Sequence, residues 1–337
     1  MVEPFILGIE SSCDETAAAV LHGHKVLSNV IASQELVHKY YGGVVPELAS
    51  RAHQQKIIPV VEEAIKQAGI VKKELNAIAF TRGPGLMGAL LVGVSFTKGM
   101  SWALDIPMIE VNHMKAHILA HLIDDGSKAL KFPFICLTVS GGHTQLVIVK
   151  SANIFELAGE TLDDAAGEAF DKAAKALGLP YPGGPLIDQF AKVGNKQAFK
   201  FNLPLVTGYN YSFSGLKTSL VYFLDKHQKE NPLFIEQHLN DICASYQNAI
   251  VNVLMRKLNQ LIKDTGINQV AIAGGVSANS ELRSAILDLE KKGCDVKIPQ
   301  FSFCTDNAAM IAIAGLVKYK IGEFAPLSIG ATARYSF

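Results

Sequence analysis

Two segments of the chain repeat one pattern, and this repeat constrains the fold more than any other feature of the sequence. The first is FILGIESSCDETAAAVL (5–21), and the second is FICLTVSGGHTQLVIV (134–149). Each contains an apolar run, a short stretch of small and polar residues, and a second apolar run. This pattern predicts a β-hairpin whose turn presents backbone N–H groups and hydroxyls. Because the pattern recurs far along the chain, it predicts a duplicated architecture of two lobes.

Strands and helices alternate around these hairpins. The expected lobes are residues 1–130 and 131–337, with a last helix placed where it can pack back onto the first lobe. Strands are expected at 77–81 and 269–273, and helices at 49–69, 86–104, 113–122, 163–177, 241–265 and 306–318. This alternation predicts the α/β class.

The charge balance and the cysteines exclude several classes of protein. The 31 basic and 31 acidic side chains cancel, whereas a chain that binds nucleic acid unaided usually carries a basic excess. Any contact with RNA would therefore need clustered basic residues or help from partner subunits. The five cysteines are scattered and form no C-x-x-C pair, which argues against a disulfide framework and a cysteine-rich zinc site.

The N-terminal residues and the most apolar segment favour a cytoplasmic protein with no membrane attachment. MVEPFILGIESSCDE lacks the basic region of a signal peptide. Residues 86–104 are apolar but contain Lys98 and several small or polar residues, which is a poor composition for a membrane span.

His113 and His117 are the candidate metal ligands. Four residues apart on a predicted helix, their imidazoles project from one face, as two ligands of one metal must. Neutral imidazole suits zinc, iron, nickel or copper, so the pair does not decide the metal. Two surface histidines are the alternative. A zincin peptidase would carry a glutamate after the first histidine, and Met114 stands there instead.

Three glycine-rich turns are candidate nucleotide contacts. Residues 83–88 (GPGLMG) match the dinucleotide fingerprint, but Pro84 removes an N–H group, which favours a turn that only packs a helix closely on the sheet. Ser140-Gly141-Gly142 can direct N–H groups at a phosphate or form a simple hairpin turn. Gly274-Gly275 can admit a base or ribose, or merely connect a strand to a helix.

Several acidic residues are candidates for proton transfer or ligand binding. Glu10 and Asp14 flank the first hairpin turn, where they can orient water, bind a metal, accept a proton from an amine, or simply be solvated. Asp171, at the inner end of a predicted helix, is a candidate ligand. Asp306 begins the last predicted helix, where its residue type favours a helix N-cap.

The order of these segments along the chain resembles the tRNA N6-adenosine threonylcarbamoyltransferase family. The resemblance extends from Gly8 to about Leu316 and is carried by GIESSCDET, YGGVVPELASRAH, GPGLMGALLVG, HMKAH, VSGGHTQL, DDAAGEAFDKAAKALGLPYPGGP, YSFSGLKT, AGGVSANSELR and FCTDNAAM. It implies the two-lobed, ribonuclease H-like fold of actin, Hsp70 and the sugar kinases, with a nucleotide in the cleft between the lobes.

The same resemblance implies a reaction and a set of site residues. A threonylcarbamoyl group would pass from threonylcarbamoyl-AMP to N6 of the adenosine 3′ of the anticodon in ANN-decoding tRNAs, giving the modified base t6A. Iron(II) is the favoured metal and zinc the alternative, and Glu10 or Asp14 is the candidate for handling the proton of the amine. The implied metal ligands are His113, His117 and Asp306, and the implied adenylate contacts are Thr138, Val139, Ser140, Gly141, Gly142, Asp171, Gly184, Asp188 and Asn279.

The resemblance also implies partners. Bacterial members of the family act with a pseudo-paralogue of the same fold and a small P-loop ATPase, while a separate synthase makes the threonylcarbamoyl-AMP. Shared contact with tRNA would explain the absence of net charge. Two other functions stay open on the residues alone: an H-x-x-x-H metallopeptidase, and a non-catalytic nucleotide-binding scaffold.

Overall fold

The first predicted hairpin provides the first two strands of a five-stranded sheet. The computed structural model describes residues 3–203 and 206–336. The strands of this sheet are β1 (Phe5–Glu10), β2 (Glu15–His22), β3 (Lys25–Ser33), β4 (Ala77–Gly83) and β5 (Met108–Asn112). Their spatial order is β3-β2-β1-β4-β5. The first three strands form an antiparallel meander, and β4 and β5 run parallel to β1.

The second hairpin provides the first two strands of a second sheet with the same topology. Its strands are β6 (Phe134–Val139), β7 (Thr144–Ser151), β8 (Ile154–Glu160), β9 (Gln269–Ala273) and β10 (Asp295–Lys297). Their order is β10-β9-β6-β7-β8, again with three antiparallel strands followed by two parallel ones. The predicted duplication, both hairpins and the α/β class are therefore confirmed.

Helices surround both sheets. They are α1 (Glu35–Tyr41), α2 (Pro46–Gln67), α3 (Met87–Leu104), α4 (His113–Leu119), α5 (Ala166–Ala176), α6 (Gly183–Ala191), α7 (Ser214–Glu230), α8 (Phe234–Thr265), α9 (Ser280–Leu287) and α10 (Ala308–Lys320). Within the described part of the chain, one helix, α3, is long and apolar enough to pass the length and composition test for a membrane span. It packs against α2 and β4.

The chain divides into two compact units, each with its own apolar core. The first unit comprises the residues up to Ala129 together with those from Pro299 onward, and the second is Leu130–Ile298. The residues from Pro299 onward thus lie with the first unit, whereas the predicted second lobe, 131–337, includes them. The reason is that α10 packs across β1, β2 and β4 of the first sheet.

The close approach of α10 to this sheet depends on two glycines. A Cβ atom at Gly8 in β1 would overlap the backbone of Ala308 and Ala312, and one at Gly315 in α10 would overlap the side chain of Ala79 in β4. Since β1, β4 and β5 are parallel, their carboxyl ends lie at one edge of the sheet, which is where ligands bind in folds of this type. β1 ends there in Glu10, and β5 leads there directly into His113.

Candidate metal centre and adenylate-binding turns

His113 and His117 lie on α4 with their rings edge to face, at an interplanar angle of 88°. Both are buried, and their Nε2 atoms are 3.2 Å apart. Asn112 caps the helix, since its Oδ1 accepts hydrogen bonds from the backbone N–H groups of Met114 and Lys115. The alternative of two surface histidines is therefore wrong.

Asp306 lies beside this pair, although it belongs to the late segment of the first unit, from Pro299 onward. Its Oδ1 lies 3.1 Å from Nε2 of His117 and 3.5 Å from Nε2 of His113. The prediction that Asp306 caps the last helix is wrong, because Asn307 performs that role by accepting a hydrogen bond from the N–H of Met310. The Asp306 carboxylate is left free to face the histidines.

The three ligand atoms have the spacing that a small divalent metal requires. They lie within 4.8 Å of one another, with individual separations of 3.1, 3.2 and 3.5 Å. Ligands at bond lengths of 2.0–2.1 Å in a tetrahedral site stand about 3.3 Å apart. Two imidazoles and one carboxylate suit iron or zinc, and three protein ligands leave coordination positions for a substrate.

The other ring nitrogen of His113, Nδ1, contacts the first hairpin turn. This nitrogen lies 2.9 Å from Oε2 of Glu10 and 3.2 Å from the Oγ of Ser12. Glu10 is fully buried and also accepts hydrogen bonds from the hydroxyl of Thr81 and the N–H of Ser12. A carboxylate on the second nitrogen of a metal-binding histidine fixes the tautomer that leaves Nε2 for the metal. This placement favours a positioning role for Glu10 over transfer of a substrate proton.

Electrostatic interactions among these buried side chains shift their pKa values. Burial opposes protonation of His113, but Asp306 and Glu10 outweigh it and raise the pKa of His113 well above its ordinary value. Burial would raise the pKa of Asp306, yet His113 and His117 overcome that effect and lower it. The pKa of Glu10 is lowered for the same reason, through His113. The site therefore strongly favours a cation between its two carboxylates.

Asp14 and Glu15 end the first turn. Both side chains are partly exposed, and the backbone of Asp14 binds the N–H of Gln34. Burial, followed by the charges of Asp306 and Asp14, raises the pKa of Glu15 to about 9. Sequence reasoning did not single out Glu15, because its proximity to Asp306 is a tertiary contact.

A buried histidine holds the same turn from behind. Nε2 of His53, on α2, lies 3.0 Å from the carbonyl oxygen of Cys13, which can only accept, so Nε2 carries the proton. Nδ1 then accepts a hydrogen bond of 2.7 Å from the hydroxyl of Thr16. Burial lowers the pKa of His53, which keeps this ring neutral. Local sequence gives no signal for this role.

The apparent dinucleotide fingerprint is a packing motif. Cβ atoms at Gly83, Gly85 and Gly88 would overlap the Thr332 carbonyl, the backbone of Ser12 and the Ser50 hydroxyl, respectively. These three glycines therefore allow close packing of protein atoms around the loop.

The turn of the second hairpin is open to solvent. The N–H of Ser140 donates to the carbonyl of His143, and the N–H of His143 donates to the Ser140 hydroxyl. Gly141 and Gly142 are exposed, and Cβ atoms there would meet nothing within 4 Å. Thr138 and Val139, which precede the turn, are fully buried.

The N-terminus of α5 packs against this turn. The N–H of Gly167 donates to the carbonyl of Ser140, and a Cβ at Gly167 would overlap the turn. On the same helix, Oδ1 of Asp171 accepts hydrogen bonds from the N–H groups of Gly183 and Gly184, at 2.8 and 3.2 Å. Asp171 thus orients the start of α6 beside the turn.

The remaining predicted adenylate contacts connect α6, α8 and α9. Oδ1 of Asp188 accepts two hydrogen bonds from Ser280, and Asn279 caps α9 while donating to Gln247 at 2.7 Å. A Cβ at Gly274 would overlap the Val139 carbonyl, which brings this turn against the end of β6. The structure therefore gathers the predicted residues of the second unit around the carboxyl ends of β6 and β9.

Comparison with known proteins places the chain in a family. A family model described as tRNA N6-adenosine threonylcarbamoyltransferase matches residues 25–313. Relatives bearing that name are 59% identical in Christiangramia forsetii, over 98% of both chains, and 63% identical in Cytophaga hutchinsonii, over 95% of this chain and 93% of the relative.

Solved structures share the fold at low identity. Full-length HypF, in its phosphate- and nucleotide-bound form, aligns with a TM-score of 0.63 at 16% identity, over 96% of this chain and 48% of that chain. Component A of the (R)-2-hydroxyglutaryl-CoA dehydratase of Acidaminococcus fermentans aligns with a TM-score of 0.54 at 15% identity, over 94% and 99% of the two chains. The predicted actin-like fold is confirmed, and a nucleotide in a cleft stays a prediction.

The metallopeptidase and scaffold alternatives gain nothing from these relatives, whose shared name is that of a transferase. Both the family match and the two close relatives extend over most of the chain. The chain belongs to the tRNA N6-adenosine threonylcarbamoyltransferase family.

Proposed function

We propose that this chain transfers the threonylcarbamoyl group of threonylcarbamoyl-AMP to N6 of the adenosine 3′ of the anticodon in ANN-decoding tRNAs. The observation that carries the proposal is the convergence of His113, His117 and Asp306 in a member of this transferase family. A peptidase would need a general base beside the first histidine, where Met114 lies buried.

The reaction is an acyl transfer. N6 of the adenosine attacks the carbamoyl carbon, a C–N bond forms, and the bond from that carbon to the phosphate oxygen breaks, so that AMP leaves with the bonding electron pair. The attacking amine loses one proton. Because an exocyclic amine of a base is a weak nucleophile, the protein must supply orientation and stabilisation of charge. The base lies in a single-stranded loop, which makes it accessible.

His113, His117 and Asp306 are the residues that would hold the metal, with iron(II) favoured by the family and zinc as the alternative. When bound, such a metal supplies a Lewis acid for the phosphate or carbonyl oxygen. Glu10 and Ser12 orient the His113 ring from behind. Asp14, partly exposed at the same turn, is the remaining candidate acceptor of the amine proton.

The second unit would bind the adenylate. Backbone groups from Thr138 to Gly142 are proposed to hold the phosphate, next to the N-terminus of α5, whose dipole favours an anion. A Cβ at Gly275 would meet nothing within 4 Å, and one at Gly184 would meet only the Cβ of Phe170, at 3.7 Å. The side chains of Asp171, Asp188 and Asn279 set these turns and would contact the rest of the nucleotide.

The partners proposed are tRNA, a pseudo-paralogue subunit of the same fold, a small P-loop ATPase and a separate synthase that supplies threonylcarbamoyl-AMP. The near-neutral charge of the chain supports the sharing of tRNA contacts. We place the reaction in the cytoplasm.

The test is reconstitution with tRNA, threonine, bicarbonate, ATP and the partner proteins, with t6A measured by mass spectrometry of nucleosides. His117→Ala should reduce formation by more than the roughly 10- to 100-fold that outer-shell changes at metal sites cost. His24→Ala, on an exposed histidine of the same unit, is the matched control and should retain activity. Full activity of the His117 variant would refute the metal-assisted mechanism.

A further inference from the structure

Residues 330–336, here called the strap, lie across the end of β4 and the loop that follows it. The carbonyl of Gly330 accepts a hydrogen bond from Nε of Arg82, and the N–H of Thr332 donates to the carbonyl of Arg82 at 2.9 Å. The carbonyl of Ala333 accepts from the N–H of Gly85 at 3.1 Å. Three hydrogen bonds, two between backbone groups and one from a side chain, thus join the strap to the end of β4 and this loop.

The strap ends against Asn112, the cap of α4. Nδ2 of Asn112 donates to the carbonyls of Tyr335 and Ser336, at 3.3 and 3.2 Å. Its Oδ1 accepts from the N–H groups of Met114 and Lys115. A side-chain amide has two N–H donors and two acceptor lone pairs, so all four hydrogen bonds of Asn112 are made and the plane of the amide is fixed.

A charged side chain fastens the strap to the sheet. Nη1 of Arg82 lies 2.6 Å from Oε2 of Glu110 in β5, and its guanidinium carbon lies 5.0 Å from the centre of the Tyr335 ring. Both side chains of this ion pair are largely shielded from solvent. Arg82 therefore connects β4, β5 and the strap at the sheet edge where α4 begins.

The contacts of Asn112 affect the candidate metal site because His113 is its neighbour in the chain. His113 is the first residue of α4, directly after Asn112, and its Nε2 must stay near both Nε2 of His117 and Oδ1 of Asp306. We propose that the strap is a positioning device for the metal site: its carbonyls fix Asn112, which sets the start of α4 and thereby the direction of the His113 ring. This rests on the metal assignment made under the proposed function. Asn112 is a positioning residue, since it does not touch the metal-facing atoms.

The first test compares Co²⁺ binding, followed by its visible absorption, in Asn112→Asp and in the parent chain. Aspartate keeps the acceptor that caps α4 but cannot donate to the strap carbonyls. Co²⁺ affinity should fall about tenfold, the lower end of outer-shell effects, and the visible bands should shift. Asn259→Asp is the matched control, because Asn259 donates to the carbonyl of Met255 in α8 of the other unit. It should bind Co²⁺ as the parent does.

A second pair of variants changes a residue of the strap itself and leaves the sequence of α4 and its cap unaltered. Thr332→Pro removes the N–H that binds Arg82, whereas Thr332→Ala retains it. The proline variant should weaken Co²⁺ binding and the alanine variant should not. If both changes act through the strap, Thr332→Pro should add little in the Asn112→Asp background. Circular dichroism establishes that each variant is folded.

The outcomes separate the two proposals. Co²⁺ affinity and spectra unchanged in both Asn112→Asp and Thr332→Pro would overturn the role of the strap and leave the metal site standing. Failure of the parent chain to bind Co²⁺ would overturn the metal site and, with it, the role given to the strap. Weaker binding with a shifted spectrum in folded variants, alongside normal controls, would support the strap.

Discussion

At the scale of single residues, the proposed metal centre depends on which of two neighbours caps α10. Asp306 and Asn307 are both good N-cap residues by type, and local sequence cannot choose between them. The structure assigns the cap to Asn307, whose Oδ1 binds the N–H of Met310. The carboxylate of Asp306 is therefore available to His113 and His117, which lie far away in the sequence but near in the fold.

We therefore expect the two neighbours to respond differently to substitution. Asp306→Asn should abolish retention of divalent metal, measured as metal content after dialysis, with little loss of stability. Asn307→Ala should lower the free energy of unfolding by about 0.5–2 kcal/mol, the usual contribution of an N-cap. Equal metal content in Asp306→Asn and the parent chain would contradict this assignment.

His53 gives a prediction for the dependence of stability on pH. Burial lowers its pKa in the folded chain, so the unfolded chain binds the proton more readily. The stability that neutral His53 contributes is therefore present above its unfolded pKa of about 6.5 and is lost as pH falls toward the folded pKa.

His53→Gln keeps a donor for the Cys13 carbonyl and an acceptor for the Thr16 hydroxyl but does not titrate. Below pH 6.5 the parent should lose stability faster than this variant, by at most about 1.4 kcal/mol per pH unit. Urea denaturation from pH 8 to pH 5 measures the difference. Parallel curves would show that the folded chain does not hold His53 neutral.

At the scale of elements, periodicity predicts the hairpins and the helices α2, α3, α8 and α10, but it does not predict the 17-residue helix α7. Other features that the sequence does not predict depend on distant partners. Thr161 and Asp164 suggest a capping box for α5, yet the helix begins at Ala166 and its first N–H binds the hydroxyl of Thr144 on β7. A cap supplied from another element leaves no local pattern. The strap is unpredicted for the same reason, since its contacts with Arg82 and Asn112 are tertiary.

The approach of α10 to β1 yields a paired prediction. Gly8→Ala should destabilise the first unit by about 1–3 kcal/mol, the range for overpacking, because its methyl group would overlap the backbone of α10. Gly99→Ala, on α3, has open space around it and should stabilise by about 0.5–1 kcal/mol. Denaturation midpoints of the two variants should move in opposite directions. A neutral Gly8 variant would mean that α10 can shift away from β1 at little cost.

At the scale of the whole molecule, one sheet topology occurs twice, with different residues in the loops that follow its parallel strands. The first unit contains the His113, His117 and Asp306 group, and the second contains the open glycine turns around β6 and β9. The repeat itself is visible in the sequence. The assignment of a role to each copy is not, because it depends on which side chains the loops bring together.

This division predicts that the two binding activities can be separated. His117→Ala should lose Co²⁺ binding and still bind AMP, whereas Gly275→Val should fill the space at its turn, weaken AMP binding and still bind Co²⁺. Calorimetric titration with each ligand measures both. Neither variant should form t6A. Loss of both ligands in either variant would contradict the division.

The return of the last segment to the first unit also bears on synthesis. During translation, domains generally fold in the order in which they emerge. Here the first unit remains incomplete until the residues from Pro299 onward have been made, because α10 covers its sheet and Asp306 completes the three-ligand group. The second unit can fold earlier, although it comes later in the sequence than the histidines. A ribosome-bound chain that ends before Asp306 would carry two of the three proposed ligands, so the proposed metal site can form only after Asp306 has been made.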